Sequence, residues 1–282
     1  MIADPSVASG VPRVLVFDSG VGGLTVYAEL RKARPDADFI YVADDAGFPY
    51  GGMPADRLLA RVVALMGDLI ARLSPDIVVI ACNTASTLVL PALREHSTIP
   101  FVGTVPAIKP AAEQTASGEV TVLATPGTVA RVYTHELIRK FADSCRVNLV
   151  GSTRLAGFAE QELAGQPVDD AVLRDEMAPV FIEREARRTD MVVLACTHYP
   201  LLLQRFDALA PWPVAWIDPA PAIARRMLHF IGDAPQGVEA AGPAKAIFTS
   251  GAAPSGPLAS ALLERGLVVE DSKKWASDVT GV

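Results

Sequence analysis

Asp76-Ile77-Val78-Val79-Ile80-Ala81-Cys82 and Asp190-Met191-Val192-Val193-Leu194-Ala195-Cys196 are two versions of one heptapeptide. Each opens on an aspartate, runs through apolar residues and closes on alanine and cysteine. A short apolar run rich in β-branched residues and bounded by polar residues predicts a strand covered on both faces, as in a parallel sheet. Each cysteine then caps its strand at the carboxyl end, the edge where open α/β sheets bind ligands. Two thiols facing one small-molecule site from two related halves is the reading that organises the rest of the chain.

Upstream of the first copy, residues 13–17 predict a strand that ends at Asp18-Ser19-Gly20-Val21-Gly22-Gly23, and 24–34 predict a helix. The glycine cluster fits neither the dinucleotide fingerprint nor the P-loop. Its glycines predict a close approach of the backbone to a small ligand, with Asp18 and Ser19 at the strand end and helix amides turned to an anionic group. An ordinary helix cap is the other use of the same Asp and Ser. A strand at 39–43 precedes a helix at 54–73, in which Leu58, Leu59, Val62, Leu65, Met66 and Leu69 recur at the helical period. After Cys82, Asn83-Thr84-Ala85-Ser86 opens another helix. Its macrodipole favours a thiolate at Cys82 and is expected to lower the thiol pKa.

Downstream, the chain begins again. A strand at 120–124 runs into Thr125-Pro126-Gly127-Thr128-Val129, in the place of the glycine turn. A helix to residue 141, a strand at 146–151 and helices at 154–164 and 168–189 lead to the second heptapeptide and Thr197-His198-Tyr199-Pro200. This is an internal repeat of one α/β unit. Further strands at 214–217, 245–249 and 267–269 alternate with helices, the pattern of parallel α/β folds. The expected architecture is two similar domains, each a mostly parallel sheet flanked by helices, related by a pseudo-twofold axis with the active site between them. Residues 1–107 with 219–282 form the first, carrying Asp18 and Cys82, and residues 108–218 the second, carrying Cys196 and His198.

Composition narrows the function. A chain of 282 residues, 50% hydrophobic, can bury a sizeable core. Its apolar stretches are interrupted well short of the roughly 20 residues that span a bilayer, so no membrane segment is expected. Residues 1–10 read as a flexible leader without a basic and apolar signal, which places the protein in the cytoplasm. Three cysteines make no disulfide framework. A net charge of −7 without a basic stripe argues against nucleic acid as the main partner.

Two thiols at one site have three readings on residue chemistry alone. They are a buried structural pair, since free Cys is commonly buried. They are ligands, with His198 and Asp18, of a metal, although the close ligand pairs usual for zinc are missing. Or they are an acid and a base, because a thiol pKa near 8.5 moves readily in a charged site. His198 is either a satisfied buried imidazole or the companion of Cys196, and Asp18 stands ready beside Cys82. His96, His135 and His229 read as surface or helix residues, and Cys145 as a bystander.

Taken together, Phe17-Asp18-Ser19-Gly20-Val21-Gly22-Gly23-Leu24-Thr25-Val26, Pro49-Tyr50-Gly51, Ala81-Cys82-Asn83-Thr84-Ala85-Ser86, Ala124-Thr125-Pro126-Gly127-Thr128 and Cys196-Thr197-His198-Tyr199-Pro200-Leu201-Leu202 resemble the glutamate racemases of the aspartate/glutamate racemase superfamily. The resemblance runs along most of the chain. It implies interconversion of L- and D-glutamate by two-base proton transfer at the α-carbon, with no cofactor and no metal, in a homodimer that supplies D-glutamate for peptidoglycan. It implies Cys82 as the base toward D-glutamate and Cys196 as the base toward L-glutamate, assisted by Asp18 and His198 respectively. Asp18, Ser19, Tyr50, Gly51, Asn83, Thr84, Thr128, Thr197 and His198 fall on the family's substrate contacts. An α-hydrogen is a very weak acid, so such a pocket needs donors for the charge left on the carboxylate.

Two places depart from the family. Its glutamate near the second cysteine lies on a proline-rich segment, which here is Leu155-Ala156-Gly157-Phe158-Ala159-Glu160-Gln161-Glu162. The resemblance aligns Glu160 with that glutamate and leaves Glu162 as the alternative. Asp44-Asp45-Ala46-Gly47-Phe48 stands where family members commonly carry Asp-Thr-Ala-Arg, so the loop has lost a cation at Gly47. A racemase of another acidic amino acid such as aspartate, and a non-catalytic ligand-binding protein of the same fold, are the rival functions. A cysteine hydrolase would leave the second thiol unexplained.

Overall fold

The computed structural model describes residues 10–185 and 187–270. Of the expected leader only Gly10 falls among them, and the expected first-domain spans run beyond them at both ends.

The first run of elements is β1 (Arg13–Asp18), α1 (Leu24–Ala33), β2 (Asp38–Ala43), α2 (Ala55–Leu73), β3 (Ile77–Ile80), α3 (Asn83–His96) and β4 (Phe101–Gly103). Helix α4 (Ile108–Gln114) leads to β5 (Glu119–Ala124), α5 (Pro126–Val129), α6 (Val132–Phe141), β6 (Arg146–Gly151), α7 (Leu155–Leu163) and α8 (Asp170–Met177). Next come a small hairpin, β7 (Glu183–Arg184) and β8 (Arg187–Arg188), then β9 (Met191–Ala195), α9 (Leu203–Leu209) and β10 (Ala215–Ile217). The described chain closes with α10 (Ala220–Ile231), β11 (Ala244–Phe248), α11 (Gly256–Glu264) and β12 (Leu267–Val269).

Two parallel sheets result, ordered β12-β11-β2-β1-β3-β4 and β10-β9-β5-β6. The repeat seen in the sequence is a repeat of topology. The heptapeptide strands β3 and β9 each lie beside the strand that opens their own run, in matching register at the carboxyl end: Phe17 opposite Ile80, and Ala124 opposite Ala195. The aspartate that begins each heptapeptide has one task in both copies. Asp76 Oδ2 accepts the Arg13 amide at 2.7 Å, and Asp190 Oδ2 accepts the Ala116 and Ser117 amides at 2.8 Å. Each satisfies backbone donors at the entry of the neighbouring strand that its sheet leaves unpaired.

The heptapeptide strands are buried on both faces, as their composition predicts. In β1 and β3, Val14, Val16, Ile77 and Val79 face α1 and α10, whereas Leu15, Phe17, Val78 and Ile80 face α2 and α3. In β9 the same alternation puts Val192 and Leu194 on one side and Met191 and Val193 on the other. Each such side chain contributes about 1.5–3 kcal/mol by leaving water. Helix α2 buries Leu58, Val62, Leu65, Met66 and Leu69 on one stripe, leaving Leu59 half-buried. It stops at left-handed Ser74 (φ 46), whose amide caps the Ile70 carbonyl.

The helix expected over 168–189 is much shorter. It ends at Met177, a 3-10 turn covers Ala178–Val180, and the β7–β8 hairpin follows. Pro179 lacks the amide donor that would continue the helical hydrogen-bond ladder. The charged run Glu183–Arg188 also has no apolar stripe with which to hold a helix on the core. Among the described residues no helix is long and apolar enough to cross a membrane.

Candidate active site

Cys82 lies two residues beyond the end of β3, and Cys196 lies directly after β9. Both are buried, and both line one cavity of about 130 Å³ with Ser19, Asn83, Thr197 and His198. Tyr50, Gly51 and Thr84 line the same cavity. Thr128 stands behind Thr84, with the two hydroxyls 3.4 Å apart. Asp18 and Glu160 reach the site through the groups they bind. Among the described residues no three His, Cys, Asp or Glu side chains converge as a metal ion would require.

Cys196 has a basic partner of its own. His198 Nδ1 is 3.8 Å from Cys196 Sγ, and His198 Nε2 is 2.9 Å from Glu160 Oε1. Burial lowers the affinity of His198 for its proton, but hydrogen bonds with Cys196 and Glu160, and the charges of Cys196 and Asp18, raise its pKa to about 10. The Gly22 amide also points at Nε2, at 3.2 Å. One nitrogen cannot accept from Gly22 and donate to Glu160 together. The protonated ring decides for Glu160, because an imidazolium has two donors and no acceptor. Glu162 is turned elsewhere, bonded to Arg205 and to the Val168 amide. The carboxylate beside His198 is therefore Glu160.

The glycine turn has a different purpose from the one its composition suggested. A Cβ on Gly22 would stand 2.3 Å from His198 Nδ1, and one on Gly20 would stand 2.4 Å from Glu160 Oε1. The missing side chains make room for the His198–Glu160 pair. The amides are spent in the same way: Gly20 and Gly23 donate to Asp18 Oδ2 at 3.2 and 3.1 Å, and Val21 donates to Glu160 Oε1 at 2.9 Å. The anions that this helix start attracts are the protein's own carboxylates. Thr197 Oγ1 donates to Asp18 Oδ1 at 3.1 Å and so joins the two strand ends.

Cys82 does not behave as its position at the start of α3 predicts. Burial, followed by the nearby Asp18 carboxylate, raises its pKa to about 12, against hydrogen bonding with the Ala85 amide and Ser19. Full removal from water outweighs one helix terminus. Burial raises Asp18 as well, against His198 and the hydrogen bonds from Gly23, Gly20 and Thr197. The two sulfurs are thus unlike. Cys82 is a thiol beside a carboxyl group, and Cys196 faces a cation.

The cavity also holds an amide with bonding capacity to spare. Asn83 Oδ1 accepts from Thr104 Oγ1 at 3.4 Å, but its buried Nδ2 has no hydrogen-bond partner among the described residues. An unsatisfied buried donor costs about 1–3 kcal/mol. Thr125, which the motif reading passed over, lies in the lining and is 2.9 Å from Thr84 Oγ1 and 3.2 Å from Thr128 Oγ1. The repeat held the signal for it, since Thr125 follows the end of β5 as Ser19 follows the end of β1. Phe48 also lines the cavity, its ring 5.4 Å from that of His198. No motif marked it.

On the outer side of that wall, Asp44 is fully buried and holds a guanidinium. Arg61 of α2 donates to both its carboxylate oxygens at 2.6 Å. The cation that the loop lacks at Gly47 is thus present from another element. A Cβ on residue 47 would stand 2.5 Å from Arg61 Nε.

Two sulfurs face one cavity from matching strand ends, one a thiol and the other beside a cation, an arrangement chemically able to give and take a proton. Such a pair suits an isomerase of the racemase type, and the comparisons give that class. The chain belongs to the Asp/Glu/Hydantoin racemase family, whose description matches residues 24–227. It is 59% identical over 230 residues to the glutamate racemase of Brucella anthropi, covering 81% of this chain and 82% of that one. Among solved structures it is similar to Escherichia coli glutamate racemase in complex with L-glutamate and the activator UDP-MurNAc-Ala. That match has a TM-score of 0.83 and 41% identity, over 92% of this chain and 97% of that one. The Thermus thermophilus glutamate racemase in complex with β-chloro-D-alanine matches with a TM-score of 0.68 and 29% identity, over 96% of this chain and all (100%) of that one.

Proposed function

We propose that the protein interconverts L- and D-glutamate by proton transfer at the α-carbon between Cys82 and Cys196, without a cofactor. The observation that carries this is the placing of two chemically unlike sulfurs on one cavity, at matching ends of β3 and β9. The names of the Brucella and Escherichia coli relatives support glutamate as the substrate.

In the L to D direction the Cys196 sulfur, as thiolate, takes the α-proton from one face, with the His198 imidazolium as its countercharge. The electron pair delocalises into the carboxylate, where Asn83 Nδ2 and neighbouring hydroxyls donate to the growing charge. Cys82 delivers its proton to the opposite face and is left as thiolate. D to L reverses the roles, so Cys82 acts on D-glutamate. The burial that holds Cys82 protonated in the free site keeps a proton there to deliver, and the substrate ammonium supplies the positive charge that an ionised Cys82 lacks. Asp18 positions Thr197 and neighbours Cys82, while Glu160 holds His198 as a cation.

The same reading assigns residues 1–107 with 219–282 to one domain and 108–218 to the other, and takes the working form to be a homodimer. It places the protein in the cytoplasm, as a source of D-glutamate for peptidoglycan. The test is incubation with L-glutamate in deuterated water, following optical rotation and deuterium at the α-carbon. Cys82→Ala and Cys196→Ala are expected to abolish racemisation. Full racemisation in both variants would overturn the two-base assignment, and parallel runs with aspartate decide the substrate.

A further inference from the structure

Asp44 follows the last residue of β2, and its amide donates to the Asp18 carbonyl at 2.8 Å, at the carboxyl edge that carries the site. Its carboxylate is saturated with donors. Arg61 binds both oxygens at 2.6 Å, the Tyr50 hydroxyl donates to Oδ2, and Thr249 Oγ1 donates to Oδ1 at 2.6 Å. These partners come from α2, from the 3-10 turn Tyr50–Gly52 and from just past β11. A buried carboxylate can be held this way only with a cation and a full set of hydrogen bonds.

The Tyr50 ring is fully buried, and Tyr50 and Gly51 are part of the cavity wall. Arg61 lies on the far side of that wall, against Gly47, Phe48 and Pro49. The glycine at 47 is a condition of this arrangement. A Cβ there would meet Arg61 Nε at 2.5 Å, Asp44 Oδ2 at 2.8 Å and Tyr50 Cε1 at 2.9 Å, all three members of the cluster.

We propose that Arg61, acting through Asp44, is a positioning residue that sets the Tyr50–Gly51 wall and thereby substrate affinity. The inference rests on the racemase reading of the cavity and adds to it a residue that touches neither substrate nor sulfur. The fork of Arg61 fixes the rotamer of Asp44. Asp44 in turn fixes the Tyr50 hydroxyl, and with it the backbone at Gly51 that faces Thr125. Lysine offers a point charge without the fork and restores the arrangement only in part. The proton-transfer groups lie on other strand ends, so the effect falls on KM and leaves kcat near its normal value.

The experiment compares Arg61→Ala, Arg61→Lys and Gly47→Ala with the wild-type chain, with and without millimolar methylguanidinium. In Arg61→Ala, KM for glutamate is expected to rise roughly tenfold, as for a small misplacement of a binding wall. Its kcat should stay within about twofold. Methylguanidinium, which refills the space, should bring KM back, and Arg61→Lys should fall between. Amide exchange over residues 45–52 should quicken in Arg61→Ala and slow again with methylguanidinium. Unchanged KM and unchanged exchange overturn the proposal, as does a raised KM that methylguanidinium leaves untouched. Should Arg61→Ala fail to fold, Gly47→Ala, which pushes the guanidinium aside, decides on KM and exchange. A wild-type chain that exchanges no α-hydrogen of glutamate sinks the proposed function instead. The amide-exchange result then decides on Arg61 by itself.

Discussion

Glu160 Oε1 lies 2.9 Å from His198 Nε2, and the same oxygen accepts the Val21 amide of the glycine turn. One carboxylate oxygen therefore holds the imidazolium and ties it to the end of the other sheet. Replacing Glu160 with Gln keeps the shape and removes the charge. The His198 titration midpoint is expected to fall from about 10 toward its ordinary 6.5. The L to D rate, which the proposed mechanism runs through the sulfur beside His198, should fall roughly tenfold or more. Proton NMR of the imidazole and initial rates in each direction check this; an unmoved midpoint would contradict the role given to Glu160.

Gly22→Ala places a methyl 2.3 Å from His198 Nδ1 and 2.6 Å from its Cγ. The ring must move, because the backbone of the turn is fixed by Asp18. Activity is expected to drop about a hundredfold, as for a misplacement near 1 Å, and stability by about 1–3 kcal/mol. Gly157→Ala in α7 is the control. Nothing lies within 4 Å of its Cβ, and alanine in place of a glycine in the first turn of this helix stabilises by up to about 1 kcal/mol. Urea midpoints and initial rates separate the two.

Cys82, with a pKa near 12, should resist alkylation in the substrate-free protein. At pH 8 its thiolate fraction is about a thousandfold below that of a free cysteine, and the greater nucleophilicity of a basic thiolate recovers only part of this. The rate with iodoacetamide is expected to be more than about tenfold slower than for a free thiol. Mass mapping of the labelled cysteines measures it. Rapid labelling of Cys82 at neutral pH would mean that the helix terminus, and not burial, sets its proton affinity.

Stability should decline toward alkaline pH. The folded pKa of His198, about 10, lies above its ordinary value of 6.5. Its contribution is therefore fully present below pH 6.5 and is lost as pH rises through 10. Cys82 acts in the same sense, because the unfolded thiol ionises from its ordinary value of 9.0 while the folded one keeps its proton to about 12. Urea midpoints across this range should fall steadily, and His198→Asn should flatten the part below pH 10. A wild-type midpoint that rises between pH 7 and 10 would contradict the assignment.

Much of this arrangement is legible in the sequence. The Asp-to-Cys heptapeptides declared two buried parallel strands because apolar, β-branched runs have few other places to be. The glycine turn, Asn83-Thr84 and Thr197-His198 all fell on strand ends. What escaped was set by partners distant in sequence. The purpose of Gly20 and Gly22 depends on Glu160 and His198, well over a hundred residues away. The sign of the Cys82 shift depends on how completely the fold excludes water, which a helix N-terminus in a linear string does not reveal. The Arg61–Asp44 pair was invisible because an arginine on an amphipathic helix looks like any solvated charge. The end of α8 escaped too, since the expected helix ran to residue 189, although its cause, Pro179, is local.

The strand order has a mechanical corollary. The chain leaves the six-stranded sheet after β4, builds the four-stranded sheet, and returns through α10 to add β11 and β12 to the first. The backbone thus crosses between the sheets twice, and both crossings lie side by side, since Thr104, Val105 and Pro106 share a cavity with Pro219 and Ala222. Two adjacent covalent links act like the paired pins of a door. Whatever moves the two thiols relative to one another while both sheets stay whole must pass through residues 104–106 and 219–222.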